Sequence, residues 1–235
     1  MCDKQNKICV LSYQAVHRKT IDTLCLLKLS GFTNVCVYAQ PFHYKKVFQP
    51  IYTHRPDTEY MDEVKKIGYM KTVENLGYSL VNISSVNEIL EPEGCIFLVC
   101  GAGLLPQDFL KKYNVINAHP GYIPYERGLD ALKWAVVENQ PIGVSSHLLG
   151  EFVDAGKVIE RRKVPIYQND TFHAVAQRQY EMEIDILVSS LDKWEKPSFI
   201  TEGEPYPIHR RMPKEQEKML LACFEEYKSL WCDKA

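Results

Sequence analysis

A chain of 235 residues, 46% hydrophobic and 25% charged, has the makeup of a soluble globular protein and can bury a core without disulfide or metal staples. Its net charge of −2 excludes the broad basic surface on which nucleic-acid binding relies. No apolar run approaches the ~18 residues of a membrane-spanning helix.

"KICVLS" (7–12) is short, apolar and β-branched at its centre, which predicts a buried strand. Residues 17–30 follow as a helix, with Ile21, Leu24 and Cys25 at helical spacing and Gly31 as C-cap. "TNVCVYA" (33–39) is the next strand, and the three prolines of 41–56 predict an irregular surface loop. A helix starts at Pro56 and Asp57 and runs to Gly77. "YSLVNI" (78–83), "CIFLVCG" (95–101) and "NVINAH" (114–119) read as strands, with a short helix at 106–113. Such alternation predicts an α/β fold: a mostly parallel twisted sheet, Rossmann-like, with helices on both faces. Ligands then bind beyond the strand C-termini, at Ser12–Gln14, Ala39–Phe42, Gly101–Gly103 and His119–Gly121.

The second half predicts a helix at 129–138, strands at 142–149 and 157–166, and a long helix N-capped by Asp170. A Pro-rich connector (197–212) precedes a last helix opened by Pro213, whose apolar side would pack on the domain or in a homodimer. The expected division is a catalytic domain at 1–196 and a helical C-terminal extension at 197–235. The eight cysteines form no CxxC pair and several lie inside apolar runs, so they read as core filling in a reducing compartment rather than as zinc ligands. The polar start "MCDKQNK" lacks a secretory apolar region, which points to the cytoplasm.

Asn117 and His119 end the strand 114–119, and Pro120 stops it. Side chains at i and i+2 of a strand face the same way, so amide and imidazole converge where a carbonyl oxygen gaining charge would be stabilised. Taken alone, the pair better describes a strand-end histidine in an ordinary hydrogen bond beside a turn asparagine. Asp154, in "EFVDAGKVI", can orient His119 or hold its charged form, or can be a turn aspartate before Gly156.

Together these residues carry a resemblance. From about Phe97 to Ile166 the chain resembles the catalytic core of the folate-dependent formyltransferases. The family's Asn-x-His-Pro corresponds to Asn117–Pro120, and its later Pro and Arg/Lys-Gly to Pro124 and Arg127-Gly128. Its Gly-Val-(Thr/Ser)-x-His corresponds to Gly143–His147, and its Val-Asp-x-Gly to Val153–Gly156. Gly121 stands where many members have Ser, which removes a hydroxyl near the site. The resemblance implies N10-formyltetrahydrofolate as co-substrate, the triad Asn117, His119 and Asp154, and no metal. It also implies that the pterin lies against Gly101, Ala102, Gly103, Leu104 and Leu105, with Val153. Two glycines there would let a flat ring approach the backbone closely.

Within the resemblance, several acceptors compete. The methionyl-tRNA enzymes carry a basic C-terminal β-barrel, whereas the residues after Ile166 read as helical here. The formyltetrahydrofolate hydrolases have an extra N-terminal domain, for which a first strand at Lys7 leaves no room. The glycinamide ribonucleotide enzymes use a glycine-rich phosphate loop where this chain has "SYQAVHRKT". The expected acceptor is therefore the amine of a nucleotide-linked amino sugar, as in polysaccharide biosynthesis, with no nucleic-acid or membrane partner. A glycinamide ribonucleotide-type enzyme acting on another small amine, or a non-catalytic binding module, is the alternative. Candidate substrate residues are Tyr13, Gln14, Arg18, His43, Lys45, Lys46, Tyr122 and Arg127, drawn from a basic and aromatic cluster that also holds His17, Lys19, Phe42, Tyr44, Tyr52, His54 and Arg55.

Overall fold

The computed structural model describes residues 3–41, 49–53, 58–150, 154, 156–201 and 206–232. In chain order the elements are β1 (Ile8–Tyr13), α1 (Arg18–Leu29), β2 (Val35–Gln40), α2 (Glu59–Ile67), α3 (Tyr69–Asn75), β3 (Ser79–Asn82), β4 (Ile96–Val99), α4 (Gln107–Lys112) and β5 (Asn114–His119). There follow β6 (Arg127–Gly128), α5 (Ala131–Val137), β7 (Gly143–Leu148), β8 (Gly156–Lys163), α6 (Phe172–Ser189), β9 (Phe199–Thr201), β10 (Ile208–His209), α7 (Lys214–Glu217) and α8 (Leu220–Trp231).

The main sheet runs β3-β2-β1-β4-β5-β7-β8-β9. Its first five strands pair in parallel, and β7, β8 and β9 are antiparallel. Both faces are covered, so β1 is apolar almost throughout. Ile8 and Val10 face the layer of α1 and α6, with Leu24, Leu27, Ile186 and Leu187. Cys9 and Leu11 face the opposite layer, with Phe97, Phe109 and Tyr113 in edge-on or tilted ring contacts. Cys9, Cys36 and Cys100 are buried in these layers, and burial pushes the Cys100 thiol up to about 11. No helix among the described residues is long and apolar enough to cross a membrane.

Several expectations are corrected. The helix expected up to Gly77 is two, because Gly68 adopts φ +93 and breaks it; its expected start, Pro56 and Asp57, lies outside the described residues. Thr171, not Asp170, caps α6, its hydroxyl accepting from the Ala174 amide. Asp170 instead holds Arg178 in a bidentate pair at 2.9 Å. The connector 197–212 contains two short strands: β9 extends the main sheet, and β10 pairs with β6 beside the site described below. The last helix is split into α7 and α8, and α8 packs back on α5 through Leu220, Phe224 and Tyr227.

Candidate active site

A cleft of about 560 Å³ opens at the C-terminal ends of β1, β4 and β5. Tyr13 closes one side, the loop Cys100–Leu105 another, and Asn117, His119 and Pro120 form the floor. Such clefts arise where parallel strands end and their connections diverge. The end of β2, expected to contribute, does not line it through Ala39, Gln40 or Pro41.

The structure brings Asn117, His119 and Asp154 together in this cleft. His119 is 4% exposed. Its Nδ1 lies 3.5 Å from Asp154 Oδ1, and its Nε2 lies 3.0 Å from the Glu126 carbonyl oxygen. A carbonyl can only accept, so Nε2 carries the hydrogen. The Gly128 amide donates to Asp154 Oδ2 at 2.8 Å. Burial alone would push the Asp154 carboxyl up. The His119 and His147 imidazoles, the Gly128 amide and the Arg127 charge outweigh it and hold the group below its ordinary 3.8. Asp154 stands at φ +44, a left-handed conformation that costs a non-glycine residue about 1 kcal/mol or more and persists where surrounding contacts enforce it.

His147 completes the group. Its strand, β7, runs antiparallel to β5 with Asn117 opposite His147 and His119 opposite Ser145. The Asn117 amide donates to His147 Nε2 at 3.3 Å, and that nitrogen is 3.7 Å from Asp154 Oδ1. The histidine was visible as part of a motif, but its role depends on cross-strand register. Ser145 is equally placed: its hydroxyl donates to the Gly121 carbonyl at 2.8 Å and accepts from the Ile123 amide at 3.0 Å, tying down the loop after β5.

Gly121, the departure from the family pattern, has a local reason. A Cβ there would overlap the His119 imidazole and come within 2.7 Å of the Glu126 carbonyl oxygen. Absence of a side chain at 121 lets His119 tilt onto that carbonyl.

The loop after β4 lines the cleft through Gly101–Leu105. Its two glycines do different things. A Cβ at Gly101 would lie 2.7 Å from the Tyr13 ring, so this glycine admits Tyr13, whose hydroxyl donates to the Ala102 carbonyl at 3.2 Å. Gly103 faces open space, and the Leu104 side chain beside it is 94% exposed at the cleft rim. A flat apolar group thus has Gly103 backbone and Leu104 to lie on. Val153 falls outside the described residues.

Of the substrate candidates, Tyr13 lines the cleft and Gln14, Arg18, Tyr122 and Arg127 do not. Gln14 donates to the Ile83 carbonyl at 3.3 Å. Arg18 lies on the Tyr180 ring and pairs with Asp22 one helical turn on, at 3.4 Å. Tyr122 packs over Gly143 and under the Arg161 guanidinium. Arg127 is buried in β6, in register with Ile208. His43, Lys45 and Lys46, with Phe42, Tyr44, His54 and Arg55, lie outside the described residues. Tyr52 packs on Phe172 instead of facing the cleft. His17 and Lys19, members of the expected basic cluster, do line it, as do Gln179 and Glu183, which sequence reasoning passed over. Lys19 Nζ bonds Glu183 at 2.8 Å and the Ala118 carbonyl at 3.2 Å. Gln179 donates to the carbonyls of Pro120 and Gly143 at 3.0 and 2.9 Å. The two α6 residues were hidden because they are polar members of the buried face of a helix far from the motif.

A formyl transferase family model matches residues 56–191. Among relatives, a methionyl-tRNA formyltransferase of Thermodesulfovibrio yellowstonii is 26% identical over 110 residues, covering 46% of this chain and 35% of that one. A GDP-perosamine N-formyltransferase of Brucella melitensis is 27% identical over 116 residues, covering 47% of this chain and 44% of its own. The chain thus spans less than half the length of these curated relatives. A solved sugar N-formyltransferase from Shewanella sp. superimposes with a TM-score of 0.59 at 15% identity, over 93% of this chain and 87% of that one.

Proposed function

The chain belongs to the formyl transferase family, and from that premise we propose that it moves a formyl group from N10-formyltetrahydrofolate to the amine of a nucleotide-linked amino sugar. The carrying observation is the convergence of Asn117, His119 and Asp154 on one cleft whose far wall is the Gly101–Leu105 loop. The acceptor class is supported by the amino-sugar relative and by a first strand followed by no glycine-rich phosphate loop.

The neutral acceptor nitrogen attacks the formyl carbon; a carbon–nitrogen bond forms, and the bond to the folate nitrogen breaks. Asn117 and His119 donate to the oxygen that turns anionic between those events. Removing one such donor typically raises the barrier by about 3 kcal/mol. His119 Nε2–H now points at the Glu126 carbonyl, so it must be shared with the formyl oxygen or swung onto it. Asp154 stabilises positive charge on His119 while the proton lost by the amine travels to the folate nitrogen. The loop face at Gly103 and Leu104 receives the pterin.

The test is a screen of dTDP-, UDP- and GDP-linked amino sugars with the formyl donor, read by product mass. The expected product is one formyl group heavier, with turnover sharply reduced in Asn117→Ala, His119→Ala and Asp154→Ala. Formylation of glycinamide ribonucleotide with no amino sugar accepted would overturn the acceptor. Near wild-type turnover in His119→Ala would overturn the chemistry.

A further inference from the structure

Behind the catalytic loop lies a second cluster of ionisable groups that the proposed chemistry does not use. Glu126 is fully buried, and both its carboxylate oxygens are without a hydrogen-bond partner among the described residues. A carboxylate so placed has given up its water without a hydrogen bond in return. Nearby stand one imidazole and one further carboxylate. His209 Nε2 lies 3.7 Å from Glu126 Oε2 and 3.2 Å from Glu138 Oε2, and one donor atom from each of the three falls within 4.8 Å of the others. For metal–ligand bonds of about 2.1 Å, tetrahedral ligands sit about 3.4 Å apart, so the two measured edges bracket what a divalent ion needs.

We propose that Glu126, Glu138 and His209 form a binding site for a divalent transition-metal ion such as Zn²⁺. One imidazole and two carboxylates suit such an ion, and the exposed Glu138 leaves a side for entry and for a water ligand. The imidazole is oriented for it. Its ring stacks on Trp134 at 4.5 Å and 10° between planes, and its strand β10 is held in register with β6. Coordination through Nε2 replaces the hydrogen bond between His209 and Glu138, with the ring hydrogen carried on Nδ1 of the neutral imidazole. The ion would brace the catalytic floor from behind, since the Glu126 backbone carbonyl receives His119 Nε2–H and His209 lies opposite Gly128, whose amide holds Asp154. No short-spaced motif announces the site, because His209 arrives from a different part of the chain.

The experiment uses tag-free, metal-stripped full chain titrated with Co²⁺ and Zn²⁺. One equivalent of Co²⁺ should give d–d absorption without a thiolate charge-transfer band, which separates this site from the cysteines. Zn²⁺ at a hundredfold excess over its Kd should raise the Tm by about 5–10 °C. Both effects should vanish in His209→Ala and weaken in Glu138→Gln, two variants that leave the buried carboxyl untouched. Absence of a Tm shift at millimolar Zn²⁺, a shift that survives His209→Ala, or a thiolate band in the cobalt spectrum would each overturn the site.

Discussion

Asn117 and His147 face each other across the antiparallel pair β5–β7, with the amide donating to the imidazole Nε2 at 3.3 Å. This contact decides which way the Asn117 amide points. An amide flipped end for end would aim its oxygen, not its N–H, at the formyl oxygen. His147 is thus a positioning residue for the proposed oxyanion donor.

His147→Ala is expected to lower kcat by on the order of 10–100-fold, the usual cost of a misaimed catalytic group. KM for the folate should change little, because the loop 101–105 is untouched. His147→Gln, which can still accept from Asn117, should recover part of the loss. Steady-state kinetics of the two variants check this; equal loss in both would remove the positioning role.

Gly121→Ser restores the residue common in the family, yet here it should harm. Its Cβ would overlap His119 and crowd the Glu126 carbonyl at 2.7 Å, and that carbonyl is backbone that cannot swing aside. Turnover is expected to fall at least about tenfold, as the imidazole loses its present seat. Undiminished kcat would mean that His119 works from a different rotamer.

Asp154 makes stability depend on pH in a defined direction. Its folded carboxyl titrates below the ordinary 3.8 because it sits between two imidazoles and a backbone amide, against the contrary push of burial. Below 3.8 the unfolded chain therefore binds the proton first. The stabilisation is complete above that pH and is lost as pH falls through the folded value. Urea unfolding between about pH 2 and pH 6 should show a shallower acid limb in Asp154→Asn than in the parent chain. Identical limbs would mean that the carboxylate is not stabilised by these neighbours.

Lys133 and Glu217 pair in the core, 1% and 0% exposed, between α5 and α7. Glu217 also accepts from the Ile51 amide at 2.7 Å. Lys133→Met strands a buried carboxylate and should cost about 3–5 kcal/mol of unfolding free energy. Adding Glu217→Gln should return part of it, since a neutral amide can still accept from Ile51. No return in the double variant would place the cost in packing instead of charge.

Much of this was legible from residues alone. The apolar runs of β1, β2, β4 and β5, each closed by a turn residue, gave the parallel sheet, and Asn117 and His119 stood out because i and i+2 of a strand share a face. What stayed hidden depended on long-range pairing. β9 and β10 are three and two residues long, too short to show a period, and exist because β8 and β6 receive them. Lys19, expected in the substrate cluster, bonds Glu183 and the Ala118 carbonyl because α1 and α6 pack together there. Arg18, one residue earlier, suggested a phosphate ligand and instead lies on Tyr180. A charge run shows its composition but not which member faces inward.

Gly128 is where the loop after β5 meets the segment bearing His209. At φ +89 it offers its amide to Asp154, and any side chain would collide with the His209 carbonyl. The segment behind it is stitched down by the Leu129 amide to His209, the Trp134 indole to Arg210 and the Met212 amide to Asp130. During synthesis, Asn117, His119 and Asp154 all leave the ribosome before that segment does. A nascent chain halted between them would carry all three proposed catalytic side chains yet lack the backing that holds the aspartate in place. The proposed active site is thus completed late, when the strand bearing His209 closes its rear.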